Sequence, residues 1–79
     1  MYTNNTKIKT IKLNYISDVY KFVELACKID GKVEVSSGSF VVDGASLMGI
    51  FSIDPSKKFA VEYPADADEF NDFISQFVV

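Results

Sequence analysis

The sequence predicts an α+β fold in which a four-stranded antiparallel sheet is covered on one face by helices, in the order β-α-β-β-α-β-α. Three observations carry this expectation. Two segments repeat apolar residues at helical spacing, each with a single stripe; short β-prone runs alternate with them; and turn or capping residues mark the junctions. With 79 residues there is room for one thin core, so residues 1–79 read as a single domain.

Lys7 to Leu13 is the first strand, with Ile8, Ile11 and Leu13 among lysines and a threonine. Ser17 then precedes a helix whose stripe is Val19, Phe22, Val23 and Ala26, with Ile29 beside it. Its expected cap is Ser17, Asp18 suits the positive end of the dipole, and Gly31 can take the left-handed geometry that closes a helix. Lys32 to Val35 and Ser39 to Val42 form a hairpin around a Ser-Ser-Gly cluster, after which Asp43 and Gly44 turn the chain. Ser46 to Ile53 is a short helix capped by Ser46 and stopped at Asp54-Pro55. Phe59, Val61 and Tyr63 alternate along the fourth strand, Lys58 to Tyr63, which Pro64 ends. Asp66 with Glu69 resembles a capping box before a last helix striped by Phe70, Phe73, Ile74, Phe77 and Val78. The uncovered sheet face is expected to carry charge, with Glu34, Glu62 and Lys9 as candidates.

Composition narrows the chemistry. A hydrophobic content of 48% belongs to a folded chain rather than a disordered one. Eight lysines against eleven acids give a net charge of −3, which argues against a nucleic-acid binder needing a basic face. No apolar run is long enough to span a bilayer, and Met1 to Thr10 lacks the core of a secretory signal. A single cysteine gives no disulfide framework, so the expected address is cytoplasmic. Two absences matter more. There is no histidine, which removes the usual proton-transfer group and the nitrogen that carries a phosphoryl group in histidine phosphotransfer. There is also no arginine, hence no bidentate grip on a phosphate. The expectation is a protein that is not an enzyme and takes no cofactor.

The string Ala45-Ser46-Leu47-Met48-Gly49-Ile50-Phe51-Ser52-Ile53 resembles the regulatory-serine segment of HPr, the histidine-containing phosphocarrier of the bacterial sugar phosphotransferase system. That family reads Lys-Ser-Ile-Met-Gly-Val-Met-Ser-Leu there and shares the element order. A weaker likeness runs from the first helix through Ala26-Cys27-Lys28-Ile29-Asp30-Gly31 to the last helix, which is shorter here than is usual in the family. The resemblance implies an HPr-like open-faced β-sandwich, with docking and regulatory work linked to the phosphotransferase system.

At the phosphoacceptor the sequence departs from that family. HPr proteins carry Gly-Ile-His-Ala-Arg-Pro-Ala before the first helix, and this chain has Asn14-Tyr15-Ile16-Ser17-Asp18-Val19-Tyr20. A gapless alignment sets Tyr15 at the histidine, Ser17 at the arginine and Asp18 at the proline; if the first strand runs to Leu13, the loop shortens and no counterpart remains. Either way phosphohistidine is lost. A phenol ester of phosphate lacks a labile P–N bond, and Asp18 would repel an incoming phosphate.

Other candidates have a structural and a functional reading. Ser46 caps its helix, and the resemblance implies phosphorylation there by a serine kinase. Leu47, Met48, Ile50 and Phe51 either pack inward or form a partner-docking patch, with Leu47 and Phe51 as the outward pair and Met48 and Ile50 partly inward. The acidic group Asp66, Asp68, Glu69 and Asp72 reads as helix-dipole complementarity in preference to a metal site. Cys27 reads as a small packed residue, and Lys57-Lys58 as a solvated turn. A phosphate acceptor on Ser46 or Tyr15, and a binding domain unrelated to sugar transport, are the alternatives to docking.

Overall fold

Backbone hydrogen bonding, described for residues 5–79 in a computed structural model, gives β1 (Thr6–Ile11), α1 (Ile16–Cys27), β2 (Glu34–Ser37), β3 (Phe40–Asp43), α2 (Leu47–Ser52), β4 (Phe59–Pro64) and α3 (Asp68–Ser75). This is the expected order. The sheet runs β1-β4-β2-β3, and every neighbouring pair is antiparallel. Helices cover one face, so the chain forms an open-faced β-sandwich.

The register assigns each strand residue to a face. Val61 stands opposite Lys9 on β1 and Val35 on β2, and Val35 stands opposite Val42 on β3. Because side chains alternate along a strand, Ile11, Phe59, Val61, Tyr63 and Val35 share the covered face, and all five are buried. α1 adds Val19, Phe22, Leu25 and Ala26 to that core, and α3 adds Phe70 and Ile74. Phe22 meets Phe70 at 5.2 Å and Phe59 at 6.1 Å between ring centroids, both edge-on. The Tyr63 hydroxyl donates to Asn71 Oδ1, which satisfies the one polar atom that this buried ring brings inside. Burial holds the Tyr63 phenol above its ordinary range.

The opposite face carries Glu62, Glu34 and Asp43 in one row across β4, β2 and β3. Glu34 pairs with Lys32 at 3.1 Å, and Glu62 accepts from the Thr6 hydroxyl at 3.0 Å. Ile8 and Val41 lie on the same face and are exposed. Glu34 and Glu62 thus stand where the sequence places them. Lys9 does not: its register partner is the buried Val61, so it lies half-buried on the covered side of the edge strand.

Element ends differ from the sequence reading. β1 stops at Ile11, and Leu13 instead sinks into the core from the following loop, its N–H donating to the Pro55 carbonyl at 2.8 Å. That tether starts α1 at Ile16 with Tyr15 as N-cap, so Ser17 lies within the first turn and caps nothing. α1 ends at Cys27, ahead of Gly31, which has φ +153 in the link to β2. Cys27 is exposed rather than packed, and its thiol lies 3.5 Å from the Ala45 carbonyl. The Asp66–Glu69 capping box does not form; Ala67 is the N-cap of α3, because the Ala67 N–H bonds the Pro64 carbonyl and Asn71 N–H bonds the Ala67 carbonyl. Val78 leaves the helix and bridges to Ile11, which takes it off the predicted stripe. Among the described residues no helix is long and apolar enough to cross a membrane.

Candidate functional site

Three segments meet around one cleft: the start of α1, α2 through Phe51, and the loop from Asp54 to Ser56. Tyr15 sits at the N-cap with φ −120 and ψ 141, offers no side-chain cap, and its carbonyl receives Asp18 N–H at 3.0 Å and Val19 N–H at 3.2 Å. Sinking Val19 and Phe22 turns the other side of this helix to solvent, where Ile16 and Tyr20 are exposed; Tyr15, ahead of the first turn, is exposed as well. Ser17 is exposed and Asp18 half-buried beside them.

α2 is seated by two glycines and a serine. Ser46 Oγ accepts from Gly49 N–H at 3.1 Å, the side-chain cap that the sequence predicts. A Cβ on Gly49 would lie 3.3 Å from both Ser46 Oγ and Val42 Cβ, so glycine lets α2 approach β3 closely. Gly44 is buried against Val33 and its N–H donates to the Val33 carbonyl at 2.8 Å.

This seating decides which apolar residues of α2 reach solvent. Ile50 is 0% exposed and Met48 is 85% exposed. Met48 and Ile50 are separated by about 200° around the helix, so burying Ile50 turns Met48 outward. Leu47 lies only about 60° from Ile50 and is half-buried against the core. The expected outward pair of Leu47 and Phe51 is therefore replaced by Met48 and Phe51. Phe51 is partly exposed and meets Tyr20 edge-on, with ring centroids 6.4 Å apart, which joins the two helices into one surface. Tyr20 lies off the buried stripe of α1; an aromatic on the polar side of an amphipathic helix is the signal that could have singled it out.

The loop after α2 holds a feature that sequence reading passed over. Asp54 has φ +54, the left-handed region that disfavours most non-glycine residues. Its carboxylate accepts from the Ser56 hydroxyl at 2.6 Å and the Ser56 N–H at 3.3 Å. The Ser56 hydroxyl bond, with the Ser56 N–H and Lys57 adding to it, holds the Asp54 carboxyl below its ordinary range. The Asp-Pro-Ser spacing is the sequence signal for such a turn. Asp54, Pro55 and Ser56 form one wall of a cleft of about 280 Å³ whose other walls include Tyr15, Ile16, Val19 and Phe51.

Among the described residues no three His, Cys, Asp or Glu groups converge as a metal site. The surface can bury rings and aliphatic chains and meet a charge at Asp54; no histidine is there to carry a phosphoryl group.

The sequence matches no protein-family model and no curated protein. The fold, by contrast, is similar to solved structures. One is the phosphocarrier protein HPr from Bacillus anthracis str. Ames, with a TM-score of 0.67 and 19% identity over 96% of this chain and 100% of that one. Another is HPr-C-His from Thermoanaerobacter tengcongensis, with a TM-score of 0.67 and 21% identity over 94% of this chain and 90% of that one. Identities this low establish a shared fold.

Proposed function

We propose that this chain is a non-catalytic docking domain related to the sugar phosphotransferase system, unable to carry phosphohistidine, which engages a protein partner through Met48, Phe51, Tyr20, Tyr15 and Ile16. One observation carries the reading: these exposed apolar residues, contributed by α1 with its N-cap and by α2, form one surface around the Tyr20–Phe51 ring contact. Leu47 supports that surface from its half-buried position, and Ile50 belongs to the core beneath it. The fold shared with phosphocarrier proteins points to the class of partner, and the absence of histidine removes the carrier step.

The test is competition. An excess of the chain is added to enzyme I, phosphoenolpyruvate and a histidine-bearing HPr, and the rate of HPr phosphorylation is followed while the mass of the chain is recorded. The expected result is slower phosphorylation of HPr with no phosphate gained by the chain. Met48→Asp and Phe51→Asp should each weaken the inhibition about tenfold or more, as truncation of a central apolar anchor does. Unchanged HPr phosphorylation at saturating excess refutes the phosphotransferase link, and a gain of one phosphate refutes the non-carrier assignment.

A further inference from the structure

The geometry points to the cleft between Tyr15, Ile16, Val19, Phe51 and Asp54 as a receptor for one basic side chain, an arginine or lysine, presented by the docking partner. The inference rests on the docking surface described above and names the chemistry its partner must bring.

The argument is one of complementarity. The cleft holds about 280 Å³, room for a single long side chain. Its walls supply two aromatic rings, Tyr15 and Phe51, and the aliphatic Ile16 and Val19, against which a methylene stem can lie. The one ionisable carboxylate in its lining is Asp54, and no lysine lines it. Lys57 also stands near Asp54, its N–H donating to the Asp54 carbonyl at 3.0 Å and its charge helping to hold the carboxyl low, but its side chain is not part of the walls. Two Ser56 donors fix the Asp54 carboxylate before any ligand arrives, so little ordering remains to be done on binding. A cation flanked by aromatic faces and a carboxylate gains from both, whereas a phosphate or a carboxylate would be repelled by Asp54.

The probe is the peptide acetyl-Ala-Leu-Arg-Leu-Ala-amide, titrated into the full chain and followed by amide chemical shifts. Two counterparts replace arginine with citrulline, which keeps the shape without the charge, or with phosphoserine. Shifts should concentrate at Tyr15, Ile16, Phe51, Asp54 and Ser56, and the citrulline peptide should bind about tenfold more weakly, the value of one charge-assisted hydrogen bond. Asp54→Asn keeps the left-handed conformation and an acceptor for Ser56, and should bring the arginine peptide down to the citrulline affinity. Equal binding of arginine and citrulline peptides would make the cleft a receptor for apolar side chains and overturn the proposal. So would binding of the phosphoserine peptide, shifts centred elsewhere, or no binding at millimolar peptide. Because the probe is a free peptide, this outcome is separate from the competition assay: inhibition lost in Met48→Asp with no arginine binding removes only the cleft assignment, and the reverse pattern removes only the phosphotransferase reading.

Discussion

Replacing Gly44 with alanine isolates how the surface helix is held. Gly44 does not have the positive φ that glycine alone tolerates, so the substitution meets no backbone strain and acts through space. The new Cβ would lie 2.4 Å from Val33 Cγ1, 3.0 Å from Val33 Cβ and 3.2 Å from the Val33 carbonyl oxygen. Rotating Val33 relieves only the first contact, because the other two atoms sit on or next to the backbone and Val33 is buried. Overpacking of this kind costs about 1–3 kcal/mol, against which alanine's stiffer unfolded chain returns about 0.4–1 kcal/mol. The net loss is about 1–2 kcal/mol, or a Tm lower by about 5–15 °C for a chain of this size. Thermal and urea unfolding followed by circular dichroism would measure it. In a Val33→Ala background the same substitution should cost about 1 kcal/mol less, since the Cγ1 contact is gone. A Gly44→Ala protein that melts with the wild type, or a penalty that Val33→Ala leaves unchanged, would show that the close Gly44–Val33 approach does not set the cost.

Tyr63→Phe removes the hydroxyl bond to Asn71 and should cost about 1 kcal/mol near neutral pH, read from urea unfolding. The raised phenol pKa means that the folded state holds this proton more tightly, so the contribution is complete below the unfolded value near 10 and is lost as pH rises through the folded value; Tyr63→Phe should flatten the alkaline fall in stability above about pH 10. Ser46→Ala leaves the Gly49 N–H without its cap and should cost about 1 kcal/mol, with faster amide exchange at Gly49 as the local readout.

The helix stripes and the alternation of β4 were legible because burial sets a period that short sequences still display. Phe22, Ile74 and Val61 sit where those periods put them. Caps were harder to read, since a cap depends on where the preceding loop is tied. Leu13 bonded to Pro55, and Ala67 bonded to Pro64, shift the starts of α1 and α3 away from Ser17 and Asp66. At Ser46 the ties run the other way: Gly44 N–H bonded to the Val33 carbonyl and Ser46 N–H bonded to the Asp43 carbonyl leave Ser46 itself at the N-cap, and the predicted cap forms. Within α2, six residues are too few for periodicity to define an inward side, which is why Met48 and Ile50 looked alike. The Asp54 cleft draws on segments some forty residues apart, so nothing local announces it.

The row of Glu62, Glu34 and Asp43 bears on how the molecule behaves in a crowd. A sheet with one bare side, presenting Ile8 and Val41, invites a twin to lie against it. Closing two such sides together would press both acidic rows into a space with too little water to screen them, and Lys32 alone cannot neutralise them. The uncovered side therefore stays wet, and replacing the row's charges, as Glu34→Gln together with Glu62→Gln would, is the condition under which the protein should begin to self-associate.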